Sequence, residues 1–404
     1  MNAPKLRFEG FNGDWKITLL SDLMSFNNGI NADKGSYGHG RKFINVLDIL
    51  NNNSIKYDEI IGSVSVSQKV EDTNKVEYGD LLFLRSSETR EDVGKSTVYL
   101  DKNKFALFGG FVIRGKKQGE YQPYFLKLNL ESPRIRHQIG SKAGGSTRFN
   151  VSQSILSSIE VSMPSKTEQQ KIAEFMDYFD RKIKLHQEKI DLLKKQKKGY
   201  IQKIFNQELR FKNEDRSDFP NWELKKINSL FEKSSDKNTT LCFDKHKIIS
   251  VASMRFKEDL KESSDDYMKT YNILRENEIA FEGNKSKKFK YGRFVLNNIG
   301  DGIVSHVFIV FKPKQVFNQN FLKEYINNEV VMQKILLHST TSTLMMTSLN
   351  SKEFLKKSLP LPSIEEQNKI GEFLSTFEKR VLWEEKKLNS LILQKHALMH
   401  QMLI

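Results

Sequence analysis

Two stretches of this chain carry apolar residues at alternating steps of four and three. The first seam runs Ile172, Met176, Phe179, Ile183, then Ile190, Leu193, Tyr200 and Ile204. The second runs Ile370, Leu374, Phe377, Val381, then Leu388, Leu391, Leu398 and Met402. That spacing is a heptad seam and predicts two long amphipathic helices that pair with each other. Each start is marked. Pro164-Ser165 precedes Glu168, and Pro362-Ser363 precedes Glu366, so an N-cap serine stands three residues before a glutamate in both, the capping-box pattern. Only Gly199 interrupts the first seam. At about 1.5 Å per residue, a helix of about 40 residues spans roughly 60 Å.

The helix starts are copies. Residues 164–179 read PSKTEQQKIAEFMDYF and residues 362–377 read PSIEEQNKIGEFLSTF, a constant offset of 362 − 164 = 198. A second echo precedes each half: Leu6-Arg7-Phe8 leads to Trp15, and Leu209-Arg210-Phe211 leads to Trp222. Between these anchors the halves diverge. Short apolar runs at Lys42 to Ile49, Asp80 to Leu84, Lys247 to Met254 and Val307 to Phe311 read as strands, with clusters such as Asn27-Asn28-Gly29 and Gly144-Gly145-Ser146 as loops. The organisation expected is a mixed α/β domain over 1–160, a helix over 161–207, a second mixed domain over 208–357 and a helix over 358–404. The class is α+β, with a pseudo-two-fold internal duplication.

Two positions break each seam at equivalent places: His186 and Lys197 in the first helix, Glu384 and Lys395 in the second. A chain ordered domain, helix, domain, helix puts its domains at opposite ends only if the helices form an antiparallel coiled coil. Pairing residues whose numbers sum to 197 + 384 = 581 sets Lys197 opposite Glu384 and His186 opposite Lys395. This is the register expected.

Charge narrows the partner. The 404 residues include 65 Lys and Arg against 50 Asp and Glu, a net charge of +15, which suits a polyanion because phosphate contacts release counterions. The single cysteine, Cys242, excludes an internal disulfide and multi-cysteine metal sites. Neither a signal-like apolar run at residues 1–10 nor a run of about 18 apolar residues is present, so a cytoplasmic protein with no membrane partner is expected.

Little in the sequence asks for catalysis. Gly94-Lys95-Ser96 has Thr89 where a phosphate loop needs glycine; backbone N–H groups and Lys95 could still hold a DNA phosphate. His396 and His400 share a helix face near its C-terminus, where cations are favourable caps, and no metal site is assigned. No nucleophile–base pair stands out. Basic and polar residues in the variable segments are the candidates for DNA contact. In the first they are Lys34, Arg41, Arg85, Arg90, Lys95, Arg114, Lys116, Lys117, Lys142 and Arg148. In the second they are Arg255, Asn284, Lys285, Lys287, Lys288, Lys290 and Arg293. Arg and Asn can read base edges with paired hydrogen bonds, whereas Lys more often positions the backbone.

The order of parts, the Pro164-Ser165 and Glu168-Gln169-Gln170-Lys171-Ile172 segment, its copy at Leu359-Pro360-Leu361-Pro362-Ser363 with Glu366-Gln367, and the Leu-Arg-Phe to Trp openings resemble the specificity subunit of Type I restriction–modification enzymes. The resemblance implies that each variable segment is a target recognition domain reading one half of a bipartite, asymmetric site in double-stranded DNA. It implies that the helices set the spacing and dock two methyltransferase subunits, with restriction/translocase subunits joining. S-adenosylmethionine would then sit on the methyltransferases, ATP and magnesium on the restriction subunit, and no cofactor on this non-catalytic chain. Two other readings stay open: a stand-alone methyltransferase or nuclease with its own recognition domain, and a coiled-coil adaptor with no DNA role.

Overall fold

The computed structural model describes residues 3–51, 53–258, 264–342 and 346–403. The chain forms two compact units, residues 1–187 with 386–404 and residues 188–385. The heptad seams become one helix over Lys166–Phe205 and another over Ile364–Met402. Each unit holds the start of one helix and the end of the other. In the first unit Ile172, Ala173 and Met176 share a core with Met402 and Leu403. In the second, Ile370 and Leu374 share a core with Ile204 and Phe205. A start packed against an end means that the helices run antiparallel in each unit.

The register differs from the one expected. Lys197 donates to Glu378 at 2.7 Å and Glu324 at 2.6 Å, not to Glu384, whose carboxylate takes Lys189 at 2.6 Å. Lys395 pairs with Asp180, six residues along the helix from His186. Lys197–Glu378 and Lys395–Asp180 give 197 + 378 = 395 + 180 = 575, Lys189–Glu384 gives 573 and Lys194–Glu385 gives 579, all below the expected 581, and the two seam-breaking lysines are slipped by six residues or about 9 Å. The helix ends explain it. Ile172 and Leu403 are buried in one core, and Ile370 and Phe205 in the other. Burying large apolar ends, at about 1.5–3 kcal/mol per side chain, outweighs matching mid-helix charges, and each domain supplies further polar partners of its own.

The two echoes meet. Arg7 donates from Nε and Nη2 to the carboxylate of Glu168 at 2.8 and 2.7 Å, and Arg210 does the same to Glu366 at 3.1 and 2.7 Å. The serine half of each capping box forms, with Glu168 N–H on Ser165 Oγ at 3.3 Å and Glu366 N–H on Ser363 Oγ at 3.4 Å. The glutamate side chains turn to the arginines. Gln169 and Gln367 cross-link equally: each donates to the carbonyl of Pro164 or Pro362 and accepts from the N–H of Gln122 or Asn318. Leu209 N–H caps Lys203 O at 3.1 Å, and Leu6 N–H caps Gln401 O at 2.9 Å. The opening of the chain therefore continues the C-terminal helix as Leu209 continues the central one.

Around these clamps the variable segments form sheets. In the first unit five strands lie in the order Met24–Asn28, Val112–Lys117, Leu81–Leu84, Ser96–Tyr99, Ser54–Ile55. In the second, four lie in the order Phe231–Lys233, Ile309–Pro313, Ile279–Glu282, Arg293–Leu296. Lys42 to Ile49 is only partly a strand. Tyr37–Ile44 ends there, and Val46–Asn51 is helical. Asp48 accepts the Asn45 N–H at 2.7 Å, which turns the chain. Of Lys247 to Met254, only Ile249–Ser250 is extended.

His396 and His400 line a cavity of about 340 Å³ in the first unit, with Lys127, Asp180 and Lys395. Lys127 is buried, donates to Asn53 Oδ1 at 2.7 Å and lies 3.7 Å from Glu131. Burial lowers its pKa from 10.5 to about 8, against the pull of Glu131. A lowered folded-state value means that the unfolded chain binds more protons between pH 8 and 10.5, so stability from this group rises across that window. Relative to Lys127→Met, the native chain should gain stability between pH 7 and pH 10. Urea midpoints at both pH values check this; a pH-independent difference would contradict it.

Among the described residues no helix is long and apolar enough to cross a membrane.

Candidate nucleic-acid interface

At the end of strand Leu81–Leu84 the chain leaves the sheet at Arg85, and Ser86–Ser87 pairs with Phe149–Asn150. Loops 85–92 and 142–150 thus lie side by side. Arg90 stacks its guanidinium 4.6 Å over the Phe149 ring and donates to Gly140 O at 3.1 Å. Lys142 donates to Ser158 O at 2.9 Å, and Arg148 is exposed. Gly145 has φ +110, and a Cβ there would meet Arg148 O at 2.0 Å, so only glycine admits this close turn. Beside the loops lies a groove of about 640 Å³, lined by Asn28, Arg85, Gly144, Asn150, Ser152, Gln153 and Ser154. The sequence reading missed its amide and hydroxyl groups. Asn28 and Asn150 stood only as loop markers or unassigned polar positions, although Asn and Gln can pair bidentately with a base edge.

The second unit builds the same corner. Strand Ile279–Glu282 ends at Gly283, whose carbonyl accepts the Thr347 N–H at 2.8 Å, and Asn284 bridges to Met346. Gly283 is 283 − 85 = 198 after Arg85, and Thr347, whose N–H bonds Gly283 O as the Val151 N–H bonds Arg85 O, is 347 − 151 = 196 after Val151. The basic run from Lys285 to Lys290 therefore occupies the place of Ser87 to Asp92, where the first unit has Arg90 among Glu88, Glu91 and Asp92. Lys287, Lys288 and Lys290 are exposed; Lys285 is half-buried. Phe289 is buried beneath Lys288 and Arg293, at 4.7 and 5.1 Å from its ring. Arg255 is exposed on a strand packed near the same corner through Arg293, which donates to Ala252 O at 2.8 Å.

Other candidates are not gathered there. Lys116 and Lys117 sit at the far end of strand Val112–Lys117, whose near end pairs Val112 with Leu84 beside Arg85. Lys116 lies 3.5 Å from Glu77, and Lys117 covers the Tyr121 ring. Lys34 is exposed on a separate turn, and Arg41 lies over Phe105 at 4.3 Å and 3.5 Å from Glu71.

Arg114 and the Gly94-Lys95-Ser96 loop depart from expectation, and Arg293 has a protein partner. Arg114 is 5% exposed and donates to Asn27 Oδ1, Thr73 O and Lys75 O. Burial pulls its pKa down, with Asp80 opposing; it braces the sheet rather than facing a ligand. Arg293 holds the buried Glu282 at 2.7 Å, so its charge is internally matched. The Gly94-Lys95-Ser96 loop has no free backbone donors at its first two positions: Gly94 N–H bonds Leu84 O, Lys95 N–H bonds Asp92 O, and Lys95 Nζ pairs with Asp92 at 2.5 Å. Among the described residues, no group of three or more His, Cys, Asp or Glu is placed to hold a metal.

The first corner sets Arg85, Arg90 and Arg148 beside amide and hydroxyl groups, with Glu88, Glu91 and Asp92 in the same loop, and the second presents Lys287, Lys288 and Lys290, both over sheet-anchored backbone. That combination suits a phosphate backbone on the rim and base edges within.

A family described as the Type I restriction modification DNA specificity domain matches twice, over residues 12–195 and 220–393. A Methanocaldococcus jannaschii protein named for the type I restriction enzyme MjaX specificity subunit is 24% identical over 221 residues, 52% of this chain and 51% of its own. The type I restriction enzyme MjaVIII specificity subunit from the same organism is 23% identical over 303 residues, 69% of this chain and 68% of its own. The chain thus spans 51% of the first relative's length and 68% of the second's. In fold, it is similar to the Type-I restriction-modification system S subunit from M. genitalium, with a TM-score of 0.56 at 15% identity, covering 100% of this chain and 99% of that one. Two matches at the two duplicated halves, together covering most of the residues, place it: the chain belongs to the Type I restriction modification DNA specificity domain family.

Proposed function

We propose that this chain is the DNA-reading subunit of a Type I restriction–modification assembly. Residues 1–160 and 208–357 are its two target recognition domains, and the segments 161–207 and 358–404 set their spacing. Each domain reads one half of a bipartite site. The observation that carries this is the recurrence of one sheet corner in each unit, Gly283 standing 198 residues after Arg85, with different loops leaving it: Arg85 and Arg90 among Glu88, Glu91 and Asp92 in one, Lys285, Lys287, Lys288 and Lys290 in the other. One scaffold with two divergent loops is what two different half-sites require.

Chemistry belongs to partners in this reading. The long helices keep a second apolar face in water, with Tyr178, Leu185 and Leu393 exposed in the first unit and Leu192, Leu382 and Trp383 in the second. Exposed apolar faces of this kind mark association surfaces, and they support docking of two methyltransferase subunits, with restriction subunits joining through them. S-adenosylmethionine, ATP and magnesium are assigned to those partners.

Replacing residues 209–357 with the corresponding segment of another family member should change one half of the methylated sequence and leave the other. Methylome sequencing of a host carrying the hybrid reads this directly. A change in both halves, in a folded assembly, would overturn the modular reading.

A further inference from the structure

We propose that Phe111 is an apolar wedge that inserts into the base stack of the duplex held by the first unit. This rests on the DNA-reading function above and deepens it.

Phe111 is 62% exposed, at the tip of the turn that leads into strand Val112–Lys117. A lone exposed apolar residue means little by itself. Three observations give this one direction. First, it adjoins Arg85 at the groove: Arg85 N–H donates to Phe111 O at 3.0 Å, and Arg85 Nη1 to Gly110 O at 3.3 Å. The guanidinium that lines the groove and the exposed ring are thus carried by hydrogen-bonded neighbours.

Second, the turn is rigid. Gly109 N–H bonds Ile44 O at 3.0 Å, Gly110 N–H bonds Ile30 O at 2.9 Å, and Val112 N–H bonds Gly109 O at 2.9 Å. The Asn31 side chain packs against the same turn, where a Cβ on Gly110 would lie 2.0 Å from its Oδ1. The ring has no free loop by which to fold back into the core.

Third, the feature recurs. Phe308 N–H bonds Ser305 O at 3.0 Å, closing the same turn in the second unit, and its tip residue Val307 is 56% exposed. The offset, 307 − 111 = 196, is the one that relates the capped helices of the two domains, Phe125 to Phe321. An apolar tip kept in water at the same place in both units is a shared feature of the two readers.

Beside a groove lined by Arg85 and by amide and hydroxyl groups, the partner that repays an exposed aromatic ring is a base face. Apolar side chains that enter a duplex unstack one step and kink it, and aromatic stacking tolerates any base. Phe111 is large enough to unstack a step. Val307 is smaller and should perturb its half-site less.

The test uses the full chain in its assembly with the methyltransferase subunits, on the duplex identified by methylome sequencing. 2-Aminopurine is placed singly at each position of the half-site assigned to the first unit by the domain exchange, omitting the methylated adenine, which flips for other reasons. The native assembly should raise fluorescence at one step. Phe111→Ala should abolish that rise and weaken binding about tenfold, the order expected for one stacked ring. Phe111→Trp should keep both. Val316→Ala, which removes an exposed apolar residue elsewhere, should change neither. Unchanged thermal midpoints show that all variants fold. The same 2-aminopurine profile in the native and Phe111→Ala assemblies, or no responsive step at all in a specifically bound duplex, overturns the wedge. Absence of sequence-specific binding by the native assembly is a different result and overturns the function on which it rests.

Discussion

Arg7→Ala is expected to destabilise the first unit by about 3–5 kcal/mol, the cost of leaving one partner of a buried ion pair alone. Glu168 is buried, and both of its oxygens bond Arg7. With Arg7 gone, the carboxylate keeps only the positive end of the helix whose first turn it occupies, worth about 0.3–1 kcal/mol. The equivalent change, Arg210→Ala, should cost less, by about 1 kcal/mol, because Glu366 also accepts Trp222 Nε1 at 3.1 Å. Trp15 has no such bond; its buried Nε1 is without a hydrogen-bond partner. The difference therefore lies in one indole donor. Urea unfolding of both variants, followed by tryptophan emission, measures it. Equal losses would show that the Trp222 bond contributes nothing.

Asp180→Ala should cost a similar amount, and distinctly more than Glu378→Ala. The Lys395 side chain is 8% exposed, and Asp180 is its ion-pair partner; Tyr124 also donates to that carboxylate. Removing Asp180 strands a buried ammonium beside Lys127, which shares the cavity. Glu378 sits at the equivalent place, but Lys197 retains Glu324 at 2.6 Å after its loss, and that cluster is more open to water. A loss near 1 kcal/mol is expected there, within the range of partly exposed pairs. Asp180→Ala combined with Lys395→Met should recover most of the stability, because an apolar side chain in that pocket needs no counter-charge. Failure to recover would mean that Asp180 acts through Tyr124 instead.

Both predictions concern residues that could be seen in the sequence but not paired there. Arg7, Glu168, Arg210 and Glu366 were legible as echoes 161 and 156 residues apart, with nothing in either local pattern to say that one copy of each docks on the other. Lys197 and Lys395 were legible as breaks in a seam. Their acids, Glu378 and Asp180, lie on the flank of that seam and carry no periodic signal.

The sequence alone determined the two long helices, their starts, their antiparallel sense and the duplicated order of parts. The helices, their starts and the duplication rest on short-range periodicity, on caps or on repeated identity, signals that survive without tertiary contacts, and the antiparallel sense follows from the order of parts. It also marked the basic loop from Lys285 to Lys290, because charge density is a local property. Tertiary structure decided the register, the use of Arg114 as an internal brace, and the meeting of loops 85–92 and 142–150 with Asn28 at one groove. The physical reason is common to all three. Burial is a sum over distant segments, so which helix ends enter a core, which guanidinium is enclosed, and which amides converge depend on contacts between residues that no local window contains.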